Sequence, residues 1–122
     1  MIKIFLLEDD IVMRQLLKTL FEMEGFWPVI LNDINENSIY TQLNEDLPDL
    51  LILDVHLHKL NGIDILRKIR GNKDYQKMKI LVTSGEYLDT EAQLAGADEF
   101  LLKPYMPSTL INWIHSNIDL NA

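Results

Sequence analysis

Lys3-Ile4-Phe5-Leu6-Leu7-Glu8-Asp9-Asp10 sets an apolar run directly against three acids, and the chain repeats that layout elsewhere. Asp54 follows Leu50-Leu51-Ile52-Leu53, Lys103 follows Phe100-Leu101-Leu102, and Thr83 closes Ile80-Leu81-Val82. Runs this short and this apolar read as strands buried on both faces, the pattern of a parallel sheet. In an open parallel sheet, side chains at the carboxyl ends of the strands meet in one crevice, so residues distant in sequence become neighbours. Glu8, Asp9, Asp54, Thr83 and Lys103 are therefore expected in one site.

Segments of helical period lie between the runs. Val12, Leu16, Leu17, Leu20 and Phe21 recur at helical spacing, with Gly25 as the stop. Val29-Ile30-Leu31 reads as a second strand entered through Trp27 and Pro28, and as an edge, where a missing backbone donor is tolerated. From Asp33 to Asp46 only Ile34, Ile39, Tyr40 and Leu43 are apolar, which predicts a short or frayed helix. Ile63, Leu66 and Ile69 mark a third helix ended by Gly71-Asn72. Between Gly85 and Gly96, the residues Leu88, Ala92, Leu94 and Ala95 support about two turns. Leu110, Ile111, Ile114 and Ile118 form a last helix after Pro107-Ser108. Alternating strands and helices predict a single α/β domain over residues 1–122, its parallel sheet covered on both faces. Asn117 to Ala122 reads either as an end or as the start of a linker.

At 122 residues and 48% hydrophobic, the chain is long enough for one buried core. No apolar stretch approaches a membrane span and no basic segment precedes a long apolar one, so no membrane partner and a cytoplasmic location are expected. The absence of cysteine excludes disulfides and thiolate-bound metals. Nineteen acidic against eleven basic residues give a charge of −8, which opposes attraction to phosphate backbones and predicts no direct nucleic acid binding. The glycines are isolated, so neither a dinucleotide fingerprint nor a P-loop is present, and no serine sits in an elbow motif.

Carboxylates gathered at one point repel each other, and a divalent cation relieves that repulsion. A set of oxygen ligands suits Mg²⁺ better than zinc or copper. An aspartate can also act as nucleophile toward a phosphoryl group, forming an acyl phosphate. Asp54 is placed for that role, with Glu8 and Asp9 to hold Mg²⁺ and with Lys103 and Thr83 in reach of phosphoryl oxygens. Taken singly, an acid pair after a strand is often a turn or a helix cap, and a lysine there is often solvated. The conjunction at four strand ends is what points to chemistry. Asp10 immediately precedes the first helix and reads as its N-cap. Asp54, His56 and His58 alternate, and a strand continuing through His58 would turn all of them to one face as ligands for a transition metal. Asn61-Gly62 argue instead that a loop has begun. An aspartyl phosphatase needs a second acid, and the residue two past Asp54 is His56. His115, Trp27 and Trp113 read as packing or rim residues.

Lys3 to Asp10, Leu53-Asp54-Val55-His56-Leu57 with Asn61-Gly62, Val82-Thr83-Ser84, Gly96-Ala97-Asp98 and Lys103-Pro104 together resemble the receiver domain of two-component response regulators. The resemblance runs in order over nearly the whole chain. It implies a flavodoxin-like sheet of strand order 2-1-3-4-5. It also implies Asp54 as phosphoacceptor, Asp9 and Asp54 as direct Mg²⁺ ligands, Glu8 as a ligand through water, and the His56 carbonyl as a further ligand. Lys103 is the implied phosphate-binding lysine, joined to Pro104 by a cis bond; Thr83 is the switch hydroxyl and Phe100 the aromatic that reorients with it. The implied partners are a histidine kinase or histidine phosphotransfer protein and a downstream protein partner or effector domain, with the chain a monomer or weak homodimer. Such a domain is no metabolic enzyme, although it catalyses its own phosphorylation and dephosphorylation. A pseudo-receiver that docks a partner without phosphorylation is the alternative. The chain departs from the pattern in carrying His58 where many receivers have proline, so the loop loses a rigid φ and gains a donor. The interval from Thr83 to Lys103 is also short, which predicts a truncated fourth helix on the usual signalling face.

Overall fold

The computed structural model describes residues 1–118, so residues 119–122 of the terminal segment lie outside the described part. Strands and helices alternate as β1 (Lys3–Leu7), α1 (Ile11–Met23), β2 (Trp27–Ile30), α2 (Glu36–Glu45), β3 (Leu50–Asp54) and α3 (Gly62–Arg70), then β4 (Lys79–Ser84), α4 (Asp89–Ala95), β5 (Glu99–Leu102) and α5 (Pro107–Asn117). The strands form one parallel sheet in the order β2-β1-β3-β4-β5, the flavodoxin-like arrangement. Outside it, His56–Leu57 and Leu60–Asn61 pair as a small antiparallel ribbon ahead of α3.

Because successive strand residues face opposite ways, the sheet makes two cores. Phe5, Leu7, Leu51, Leu53, Ile80 and Val82 pack on one face against α2, α3 and α4, through residues such as Leu43, Leu66 and Ala92. Ile4, Leu6, Leu50, Ile52 and Leu81 pack on the other against Leu17 and Phe21 of α1 and Leu110 and Ile114 of α5. A one-residue slip of β1 or β3 would exchange these sets between the faces, so burial on both sides pins the register that aligns the strand ends.

Several elements differ from expectation. β2 begins at Trp27 and lies at the sheet edge as expected, the Trp27 N–H donating to the Ile2 carbonyl at 2.8 Å, but it ends before Leu31. Only part of the apolar set of α1 faces the core: Leu17 and Phe21 are buried, whereas Val12 is 79% exposed. α2 is a full ten-residue helix rather than a frayed one. A capping box accounts for it, since the Asn35 side chain accepts from the Ser38 N–H at 2.8 Å and Ser38 Oγ accepts from the Asn35 N–H at 3.1 Å. α4 is short, at seven residues, as its thin pattern predicts, but Ala92 and Ala95 face the core and Leu94 does not.

Arg70 ties the end of α3 to the neighbouring end of α4, the approach to β4 and the turn into β5. Its guanidinium donates to the carbonyls of Gly96, Tyr75 and Met78 at 2.8, 2.9 and 2.8 Å and to Asp98 Oδ2 at 2.9 Å. The same Asp98 oxygen accepts the Ile80 N–H at 2.8 Å, so one planar cation fixes β4, the end of α4 and the turn into β5.

At the start of α3, a Cβ on Gly62 would lie 2.4 Å from the Asp54 carbonyl oxygen and 2.8 Å from Val55 Cα. Both are backbone atoms at the end of β3, so neither can swing aside. Gly62→Ala is expected to lower the unfolding free energy by about 1–3 kcal/mol in urea denaturation. A midpoint equal to that of the parent would show that this close approach does not constrain the fold.

Candidate functional site

Register brings the functional side chains together. Leu7 pairs with Leu53 and Asp54 with Thr83, so Glu8 and Asp9, just past β1, come beside Asp54 with Thr83 on its other side. Lys103 follows β5, its N–H bonded to the Ser84 carbonyl at 2.8 Å. Its side chain reaches back across the end of β4, and Nζ donates to Glu8 Oε1 at 2.7 Å and to Asp54 Oδ2 at 2.8 Å. One carboxylate oxygen from each of Glu8, Asp9 and Asp54 lies within 4.8 Å of the others. Thr83, in the adjacent strand, is buried.

The other carboxylate oxygens take main-chain donors from the loops. His56 N–H donates to Asp54 Oδ1 at 3.2 Å, Asp10 N–H to Glu8 Oε2 at 3.2 Å, and His58 N–H to Asp9 Oδ2 at 2.9 Å. Asp10 itself caps α1, accepting the Met13 N–H at 3.1 Å, and stays outside the cluster as expected.

Burial holds the Glu8 carboxyl above its ordinary pKa, and neighbouring Asp54 adds to the rise despite the Lys103 bond. For Lys103, burial alone would favour the neutral amine, but its bonds to Asp54 and Glu8 prevail and raise its pKa. One ammonium therefore faces three carboxylates, and the excess negative charge is what a divalent cation complements. The donors are all oxygens, which fits Mg²⁺. Tyr105 stands two residues beyond Lys103 with its pKa pushed up to about 12 by burial, so it is neutral. Its hydroxyl has no hydrogen-bond partner among the described residues.

The histidines do not form the transition-metal arrangement. β3 ends at Asp54, and His58 takes a φ of 51°, turning the chain before a third position of the strand is reached. His56 Nε2 lies 2.8 Å from Glu86 Oε1, and the exposed His58 ring lies 3.7 Å from Asp9 Oδ2. The Glu86 contact has no sequence signal, because its partner lies in a separate loop. Lys103-Pro104 is cis, as the resemblance implies. Phe100 packs against the α2–α3–α4 core and meets the Tyr87 ring edge-on, with centroids 6.1 Å apart and planes at 76°.

The sequence pattern of the response regulator receiver domain matches residues 4–115. The chain belongs to this family. The receiver is 41% identical over 111 residues to the transcriptional regulatory protein CpxR of Escherichia coli (strain K12), a match covering 89% of this chain and 46% of CpxR. It is 33% identical over 116 residues to the cell cycle transcriptional regulator CtrA of Caulobacter vibrioides (strain NA1000 / CB15N), covering 93% of this chain and 49% of CtrA. The Francisella response regulator 1452 receiver domain has a TM-score of 0.85 at 23% identity, with 95% of each chain covered, and likeness at that identity shows the fold alone. The receiver thus spans about half the length of the curated relatives it matches. Receivers serve two-component signalling and generally bind Mg²⁺ at an acidic pocket, and Glu8, Asp9 and Asp54 form an acidic cluster here.

One expectation is overturned. The charge of −8 had argued against direct nucleic acid binding, yet the relatives are transcriptional regulators and the matched region is only about half of each. Net charge summed over a receiver carries no information about the rest of such a protein, so it excludes nothing of the kind. No helix among the described residues is long and apolar enough to cross a membrane.

The raised Glu8 pKa sets a pH dependence. The folded receiver binds a proton at Glu8 more readily than the unfolded chain does, so the stability from this group is full below 4.5 and lost as pH rises through the raised value. In chelator at neutral pH, Glu8→Gln is expected to be more stable than the parent by about 0.5–2 kcal/mol, the range typical of relieving a functional site. The gap should close as pH falls toward 4.5. A variant that melts at or below the parent at neutral pH would show that the lost Lys103 bond outweighs the crowding.

Proposed function

We propose that this receiver accepts a phosphoryl group on Asp54 from the phosphohistidine of a histidine kinase or phosphotransfer protein and passes the change to an effector. The observation that carries this reading is the Lys103 ammonium bonded to both Glu8 and Asp54, at 2.7 and 2.8 Å, with Asp9 closing the cluster. An Asp54 carboxylate oxygen attacks phosphorus in line, and the bond to the donor imidazole breaks with its electron pair returning to that nitrogen. Lys103 shifts from Asp54 to an oxygen of the transferred group, and the Thr83 hydroxyl donates to another. Asp9, Asp54 and the His56 carbonyl, with Glu8 as an indirect ligand, would hold Mg²⁺, which would neutralise the phosphoryl charge when bound. Water later hydrolyses the acyl phosphate and returns the carboxylate, so the receiver runs its own cycle without turning over an external product.

The added charge draws Thr83 toward Asp54, and Phe100 turns into the space that opens beside it. Tyr87, packed edge-on to Phe100 and 72% exposed, carries the change to the surface. Similarity to transcriptional regulators, each about twice as long as the matched region, supports an output on transcription through an effector portion that meets nucleic acid in the cytoplasm.

With Mg²⁺ and acetyl phosphate, the protein is expected to gain one phosphoryl mass, and Asp54→Asn to gain none. An undiminished adduct in the variant would remove Asp54 from this role, whereas a parent that takes up nothing would favour docking without phosphorylation. Beryllofluoride, a mimic of the aspartyl phosphate, is expected to slow hydrogen exchange chiefly in residues 83–106. Thr83→Ala should weaken that slowing while leaving Asp54 able to accept phosphate; unchanged exchange with beryllofluoride demonstrably bound would refute the switch.

A further inference from the structure

We propose that the flank formed by α2, α3 and the ribbon ahead of α3 docks an acidic protein segment that carries one apolar anchor side chain. The charge of the chain is unevenly placed. Seven of its eleven basic residues but two of its nineteen acidic ones fall between Lys59 and Lys79, so this stretch is +5 in a chain of −8. Arg70 is committed to main-chain carbonyls and to Asp98. Lys59, Arg67 and Lys68 are instead exposed, and they line a groove of about 470 Å³ between the start of α2 and α3.

A second cavity, also of about 470 Å³, adjoins the first and shares Lys59 and Leu60 with it. Ile34 and Leu60 give it an apolar lining, and both are partly buried against the α2–α3–α4 core. Such a slot accepts one apolar side chain, with a cation at its rim. Arg67 is paired with Asp64 at 3.1 Å and Lys68 with Glu36 at 2.8 Å. All four side chains are exposed, so these pairs hold weakly in water and can exchange for an incoming carboxylate. Lys59 has no acidic partner among the described residues.

The acids that remain in the groove select the class of occupant. Glu36 and Asp64 would face the evenly spaced phosphates of a nucleic acid or the headgroups of an anionic bilayer, and the net charge of −8 repels both at long range. A polypeptide places its carboxylates singly, onto Lys59, Arg67 and Lys68, and passes Glu36 and Asp64 with uncharged residues. The apolar slot likewise suits a projecting side chain and has no counterpart on a flat bilayer. None of the residues lining the two cavities comes from α4, β5 or α5, so an occupant here leaves that face free.

The probe is a peptide of glutamates and serines around one central phenylalanine, titrated at low salt into ¹⁵N-labelled protein. Saturable amide shifts centred on residues 34–36 and 58–68 are expected. Lys59→Glu combined with Arg67→Glu should weaken binding about tenfold or more, whereas Lys73→Glu combined with Lys77→Glu, outside both cavities, should change it less than about twofold. Exchanging the phenylalanine for serine should also weaken binding about tenfold. A peptide that shifts no amide, or shifts centred elsewhere, overturns the proposal. An equal loss in the two double variants overturns it as well, by showing attraction to net charge alone, and unchanged affinity without the phenylalanine overturns the anchored mode. Duplex DNA or phosphatidylglycerol vesicles that shift the same amides at lower concentration than the peptide would assign the flank to phosphate and contradict the proposal. Should the first double variant lose its fold, Lys59→Gln decides: weaker peptide binding supports the proposal and parent-like binding refutes it.

Discussion

The Lys103 ammonium, bonded at once to Glu8 and Asp54, is the contact on which the arrangement depends. Burial and the neighbouring Asp54 push the Glu8 carboxyl toward its protonated form, and the Lys103 bond opposes them. A protonated acid is a poor metal ligand. The Lys103 bond favours the charged form of Glu8, yet one positive charge does not balance three carboxylates, which is what a divalent cation complements. Sheet order makes this contact available: Lys103 follows β5, two strands from β3, and a long flexible side chain can span the end of β4 between them.

The strand that Lys103 crosses is also the one that ends in Thr83 and Ser84, so the charge balance and the proposed route to the surface share an element. α4, which follows it, is held unevenly. Its last turn is tied to α3 through Arg70 and Gly96, while Leu88 at its start makes no side-chain cap bond. The loose end lies toward the acid cluster, with Tyr87 before it. A change at Asp54 therefore meets the less constrained end of the helix first, which is the physical basis for reading this region as the responsive part.

The strands and the acid cluster were legible in the sequence because apolar runs of four or five residues leave little choice of element, and a parallel sheet then dictates which ends meet. Asp10 as a cap was legible for the same local reason. The extent of α2 was not, since counting apolar residues overlooks what Asn35 and Ser38 do for its first turn. Val12 and Leu94 read as core but lie outside it, because periodicity identifies an apolar stripe without saying how wide a neighbour covers it. A donor at His58 was foreseeable from the absence of proline, but its aim at Asp9 depends on a left-handed turn that no residue type announces. The reading of nucleic acid from net charge failed for a different reason: charge describes the region summed and nothing joined to it.

The claim that the carboxyl ends of β1 and β3 form a cation site balanced by Lys103 is tested most directly by titrating Mg²⁺ into uniformly ¹⁵N-labelled protein and following every amide resonance. The account predicts saturable shifts concentrated in residues 8–10, 54–60, 83–86 and 103–105. Ile2, Trp27, Asp49 and Lys79, at the opposite edge of the sheet, should stay unmoved. Shifts that fail to saturate, or that centre on that opposite edge, would contradict it.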